Sequence, residues 1–172
     1  MMKGNNIILI GFMGSGKTSV GRLLSGRLGY EFKDTDEMIE AMEDTTINDI
    51  FRQHGEDFFR DLETTLLLSI KDSLKKTVLS TGGGMPVREI NRELLKEIGQ
   101  VVFLRTAFDT IVKRVSGDTT RPLLNKGNIY DTVGRLLAER TPYYEKAADV
   151  IVDTDNKTID EIAAEISDYI RR

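Results

Sequence analysis

No cysteine occurs in the chain, so neither a disulfide framework nor a thiolate metal site is available to it. That fits a reducing compartment, and a cytoplasmic location is expected. Histidine is almost as scarce: any catalytic triad or histidine metal cluster would hang on His54 alone. Its setting, "FRQHGED" ahead of Gly55, reads more simply as a helix C-terminus with a glycine cap. An excess of one charge is missing too. The 24 basic and 28 acidic residues are mixed along the chain for a net charge of -4, which leaves no basic footprint for nucleic acid. Nor is there a long apolar run. The stretch inside "MMKGNNIILIGFMG" falls far short of the roughly 18 residues of a membrane span and has no small-residue cleavage site, so it reads as a buried strand. Low-complexity tracts, internal repeats and Pro/Ser-rich linkers are absent from the sequence. One domain over residues 1–172 is therefore expected, with monomer as the default state.

What is present alternates. Apolar stretches at 6–10, 77–80, 101–104 and 149–152, with a shorter one at 30–34, read as parallel strands. Helical spacing runs between them, as in Leu62, Leu66, Ile70 and Leu74, and again in Ile159, Ile162, Ala163, Ile166 and Ile170. This rhythm predicts an α/β three-layer fold, a five-stranded parallel sheet flanked by helices, with ligands beyond the carboxyl ends of the strands. Two segments break the rhythm. Residues 35–61 suit a substrate-binding insertion, and the polar, glycine-flanked residues 114–128 suit a lid.

"GFMGSGKTSV" follows the first strand. Gly11, Gly16, Lys17 and Thr18 match G-x-x-x-x-G-K-[ST], the phosphate-binding P-loop. Glycines allow backbone NH groups to turn around phosphates, the helix start adds partial positive charge, Lys17 reaches the β and γ phosphates, and Thr18 can ligate Mg²⁺. Gly14, Ser15 and Ser19 complete the loop. A dinucleotide fingerprint starting at Gly14 would need glycine where Ser19 stands. The loop implies a nucleoside triphosphate with Mg²⁺ and leaves the acceptor open.

Guanine is disfavoured. "NKGN" at 125–128 has Asn128 where a GTPase carries aspartate, and the D-x-x-G from Asp131 to Gly134 follows it in the wrong order. "DTD" at 34–36 places two carboxylates at the sheet's binding edge, though Asp36 or Thr35 could equally be an ordinary helix cap. Three glycines in "STGGG" are costly to order unless a backbone comes close to something. No acid ends that strand, so support for the metal falls to Asp34.

The set "GFMGSGKTSVG", "FKDTD", "IFRQHGEDFFRDLE", "LSTGGG", "RPLL" and "ERTPYYEKAADVIVDT", in this order, resembles shikimate kinase over nearly the whole chain. The resemblance implies ATP-dependent phosphorylation of the 3-hydroxyl of shikimate, with Lys17, Asp36 and Arg121 as catalytic groups. It implies Thr18 and Asp34 at the metal, Arg114, Arg121 and the loop around Asp155 at the nucleotide, and Arg60 and Arg140 on the substrate carboxylate. The backbone of Gly82, Gly83 and Gly84 would approach the ring hydroxyls. Phe51 and Phe59 would line the pocket, although aromatics at that spacing also suit a core. Met13, where some members carry arginine, and "MEDTT", in place of a glycine-containing turn, depart from the pattern. A related kinase for gluconate or a nucleoside monophosphate is the nearest alternative. A non-catalytic ATP-binding regulatory protein is the alternative from another class.

Overall fold

Strand alternates with helix through residues 5–116 and 127–172, which are those that the computed structural model describes. The strands are β1 (Ile7–Ile10), β2 (Glu31–Asp34), β3 (Thr77–Ser80), β4 (Gln100–Arg105) and β5 (Val150–Asp153). They form one sheet in the order β2-β3-β1-β4-β5, every pairing parallel, with Ile7 opposite both Val78 and Gln100. The register is pinned at the bottom by Asn6. Its buried amide donates to the carbonyls of Leu74 and Ile98 and accepts from the Thr77 NH, so three chain segments meet on one side chain.

Both faces of the central strand are covered, as a parallel sheet requires. Side chains alternate across the pleat: Ile7 and Leu9 join one core, Ile8 and Ile10 the other. The first core closes under α1 (Lys17–Leu28) and α8 (Ile159–Ile170). The second lies under α4 (Glu56–Ile70), α5 (Glu89–Ile98), α6 (Phe108–Val115) and α7 (Ile129–Ala147). Layers of helix, sheet and helix result. The periodicity through Leu74 overshoots slightly, because α4 stops at Ile70 and Leu74 packs on the core from the turn beyond.

The segment 35–61 is mostly helical: α2 (Thr35–Glu43), α3 (Ile47–His54) and the start of α4, joined through short turns. Gly55, at φ 85, separates α3 from α4. Within 114–128, Arg114 sits in the last turn of α6 and Asn128 caps α7 by accepting from the NH groups of Tyr130 and Asp131. The rest of the expected lid, 117–126, lies outside the described residues.

Candidate active site

Chain order brings the ends of β1, β2 and β3 together beside the point where the strand order reverses, the usual ligand crevice of an open α/β sheet. A cavity of about 590 Å³ opens there, lined by residues 13–20, Asp34, Asp36, Ser80 to Gly83 and Arg114. Its floor is the phosphate loop. Gly11, Gly14 and Gly16 have φ of 150, 79 and 92, a path that β-carbons disfavour. Helix α1 then starts without a side-chain cap and without an acid in its first turn. Its partial positive charge and free NH groups therefore face the cavity. The Ser15 hydroxyl is buried there without a partner. Lys17 folds back, its Nζ donating to the carbonyls of Gly11 (2.8 Å) and Phe12 (3.0 Å), a position from which it can turn to an anion.

At the end of β2, neither Thr35 nor Asp36 is the helix cap: Asp34 is, its Oδ1 accepting from the NH groups of Asp36 (2.9 Å) and Glu37 (3.2 Å). The cap fixes Asp36 on the first turn of α2, where it is half-buried with Oδ1 shut off and unpaired. Burial, then the neighbouring Asp34 carboxylate, raises its pKa to about 6; Lys17 and Arg60 act in the opposite direction. Asp36 is thus a carboxylate that gains from a hydrogen-bond donor. Thr18 and Asp34 line the same cavity, hard oxygen donors that suit a cation carried on phosphate oxygens, and Asp34 keeps its second oxygen for that task.

The triple glycine explains how the remaining groups fit. A β-carbon on Gly82 would lie 2.8 Å from Asp36 Oδ1 and 3.1 Å from Glu63 Oε2; one on Gly83 would lie 3.3 Å from Arg140 Nη1; one on Gly84 would fall within the Arg60 guanidinium. The close approach read from the sequence is therefore an approach of the protein's own charged side chains. Arg60 and Arg140 are 7% and 4% exposed, so the structure brings both to the strip that also meets Asp36. Neither lines the large cavity itself, and Arg60 is held by Glu63 Oε1 at 2.5 Å and Glu56 Oε1 at 3.2 Å. Phe59 is buried beside the Arg60 guanidinium, and Phe51 packs on Phe59 with ring centroids 5.0 Å apart.

Two members of this cluster were missed by the sequence reading. Glu63 is fully buried, and burial lifts its pKa to about 7 despite Arg60. The i, i+3 spacing from Arg60 was the available signal. Tyr144, also fully buried, donates from its hydroxyl to the Gly83 carbonyl at 2.6 Å and packs on Phe103. On the nucleotide side, Arg114 donates to the Gly14 carbonyl at 2.8 Å. Asp155 is turned away from the cavity, toward Ala107 and Thr110. Arg121 lies outside the described residues.

A parallel 2-3-1-4-5 sheet with a phosphate loop after its central strand and an acidic second strand end defines a P-loop phosphotransferase of the small-molecule kinase type. The family model for shikimate kinase matches residues 13–171. The shikimate kinase of Dictyoglomus turgidum is 42% identical over 170 residues, covering 97% of this chain and 98% of that relative. That of Geobacter sulfurreducens is 40% identical, covering 98% and 92%. The solved structure of the shikimate kinase from Acinetobacter baumannii in complex with shikimate superposes with a TM-score of 0.92 at 40% identity, covering 96% of this chain and 92% of that one. The chain belongs to the shikimate kinase family, whose members are ATP-dependent phosphotransferases. A gluconokinase from Sinorhizobium meliloti, at 19% identity and a TM-score of 0.61, shares the fold.

Proposed function

We propose that this chain transfers the γ-phosphoryl group of ATP to the 3-hydroxyl of shikimate, giving shikimate 3-phosphate and ADP on the route to aromatic amino acids. One observation carries the reading. Asp36, Arg60 and Arg140 converge on three consecutive glycines at the rim of a phosphate-binding cavity, which is what a small hydroxylated carboxylic acid needs.

Each residue has work that its position suits. Planar guanidinium groups offer paired donors to a carboxylate, so Arg60 and Arg140 would clasp the acid once Arg60 shares its donors with the ligand. Glu63 holds Arg60 in register through Nη1. Tyr144 holds the Gly83 carbonyl and with it the height of the strip. The acceptor hydroxyl would donate to the Asp36 carboxylate where it lines the cavity, and that carboxylate would orient the nucleophile and take its proton late, as a loose phosphoryl transition state requires. Lys17 would leave its two loop carbonyls for the phosphates. Magnesium at Thr18, supported by Asp34, would neutralise charge across the phosphate oxygens. Among the described residues no helix is long and apolar enough to cross a membrane, and we place the enzyme in the cytoplasm as a monomer.

ADP release coupled to a panel of acceptors tests this. Shikimate should drive turnover, while gluconate and nucleoside monophosphates should not. ATP binding without turnover on any acceptor would instead mark a regulatory protein.

A further inference from the structure

The N-cap position of helix α6 is Ala107, a residue with no side-chain oxygen to offer the free NH groups of a helix start, so no side-chain cap of its own is formed. The cap comes from another loop. Asp155, just past the end of β5, accepts from the Ala107 NH with Oδ2 at 2.8 Å and from the Thr110 hydroxyl with Oδ1 at 2.6 Å. Both oxygens are therefore committed to α6. A carboxylate there also complements the positive end of the helix dipole, and the Thr110 and Ala107 bonds hold it below the usual carboxylate range.

This bond pair is one rung of a ladder joining the loops after β4 and β5. The Thr154 NH donates to the Arg105 carbonyl at 2.9 Å, the hydroxyls of Thr106 and Thr154 meet at 2.6 Å in the buried layer, and Arg105 grips both oxygens of Asp153. The two loops are thus one mechanical unit. At the far end of α6, seven residues after Ala107, Arg114 donates to the Gly14 carbonyl of the phosphate loop, and the space beside Gly14 is filled by Val115, 3.0 Å from where a β-carbon would stand. Residues 157, 159 and 162, beyond Asp155, line the same cavity as Arg114.

We infer that Asp155 is a positioning residue for nucleotide binding: it caps α6 from a distant loop and so sets Arg114 against the phosphate loop, without touching the nucleotide itself. The inference rests on the reading above that the cavity takes ATP.

The test uses the full chain and KM values for both substrates. Asp155→Ala should raise KM for ATP about 5- to 30-fold, the cost of a lost helix cap, with kcat and KM for shikimate within about twofold of wild type. Asp155→Asn should restore most of that loss, since asparagine caps as well as aspartate. Thr110→Val, which removes one bond of the pair, should raise KM for ATP by a smaller factor; it serves if the alanine variant does not fold. In an Arg114→Ala background, Asp155→Ala should add less than about a twofold change, because the two residues act through one element. Full additivity with Arg114→Ala would mean that Asp155 meets the nucleotide directly, and an equal loss for both substrates with a lowered Tm would mean that it is structural only. Either result overturns the inference. A wild-type protein without shikimate-dependent ADP release would instead overturn the functional reading on which it rests.

Discussion

Arg60 and Gly84 are packed so closely that any β-carbon at position 84 would overlap the Arg60 guanidinium, which cannot simply swing away because Glu63 and Glu56 hold it and only 7% of the residue is exposed. Gly84→Ala is expected to displace Arg60 and raise KM for shikimate about 10- to 100-fold, the worth of charge-assisted bonds to one carboxylate, while KM for ATP stays close to wild type. Arg60→Ala goes further. Losing one partner of a buried charge pair costs about 2–5 kcal/mol, or about 30-fold to several thousand-fold in kcat/KM for shikimate. Steady-state kinetics with each substrate varied in turn would separate these outcomes from a general loss of structure, which would weaken both substrates alike.

Asp36→Asn keeps the shape of the side chain but not its capacity to take a proton. Turnover should fall below detection while calorimetric titration still registers both ATP and shikimate. Retained turnover would remove Asp36 from the chemistry.

Glu63 makes stability depend on pH. Burial raises its pKa from 4.5 to about 7, so between those values the folded chain keeps a proton that the unfolded chain has released. The contribution is complete below the unfolded value and is lost as pH rises through about 7. Glu63→Gln cannot titrate. The Tm of wild type relative to this variant should therefore decline from pH 4.5 to pH 8. A gap that stays constant across that range would show that the folded carboxyl titrates normally.

Tyr144→Phe removes one hydroxyl, and with it the bond to the Gly83 carbonyl. That carbonyl sits in the strip facing Arg140, so the expected effect is a rise in KM for shikimate of about 3- to 10-fold, with KM for ATP spared. An unchanged shikimate KM would show that Phe103 packing alone holds the strip.

The strand segments and the phosphate loop were legible because their signals are local. "IILI" before "GFMGSGKTS" needs no distant partner to be recognised. The cluster behind the cavity was legible only in part, because its contacts link residues far apart in sequence. "STGGG" announced a close approach, but what approaches comes from 19 to 57 positions away, in α2, α4 and α7, and no pattern in the glycines names it. Glu63 was in view beside Arg60, yet a charged pair at that spacing on a helix is most often solvated, and only burial distinguishes this one. The cap at Asp34 rather than at Thr35 or Asp36 turned on where β2 ends, a matter of one or two residues set by its pairing with β3. Asp155 was expected at the nucleotide from its loop. Its bonds to α6 depend on β4 and β5 lying side by side.

The two outermost strands, β2 and β5, are four residues long, and each bears charged side chains: the Glu31–Lys33 pair on β2, and on β5 Asp153, paired with Arg105 of β4. Such brief, hydrated borders offer a second molecule little backbone to zip onto. Newly made chains can therefore complete a parallel sheet, a slow topology to assemble, with less risk of being diverted into aggregates.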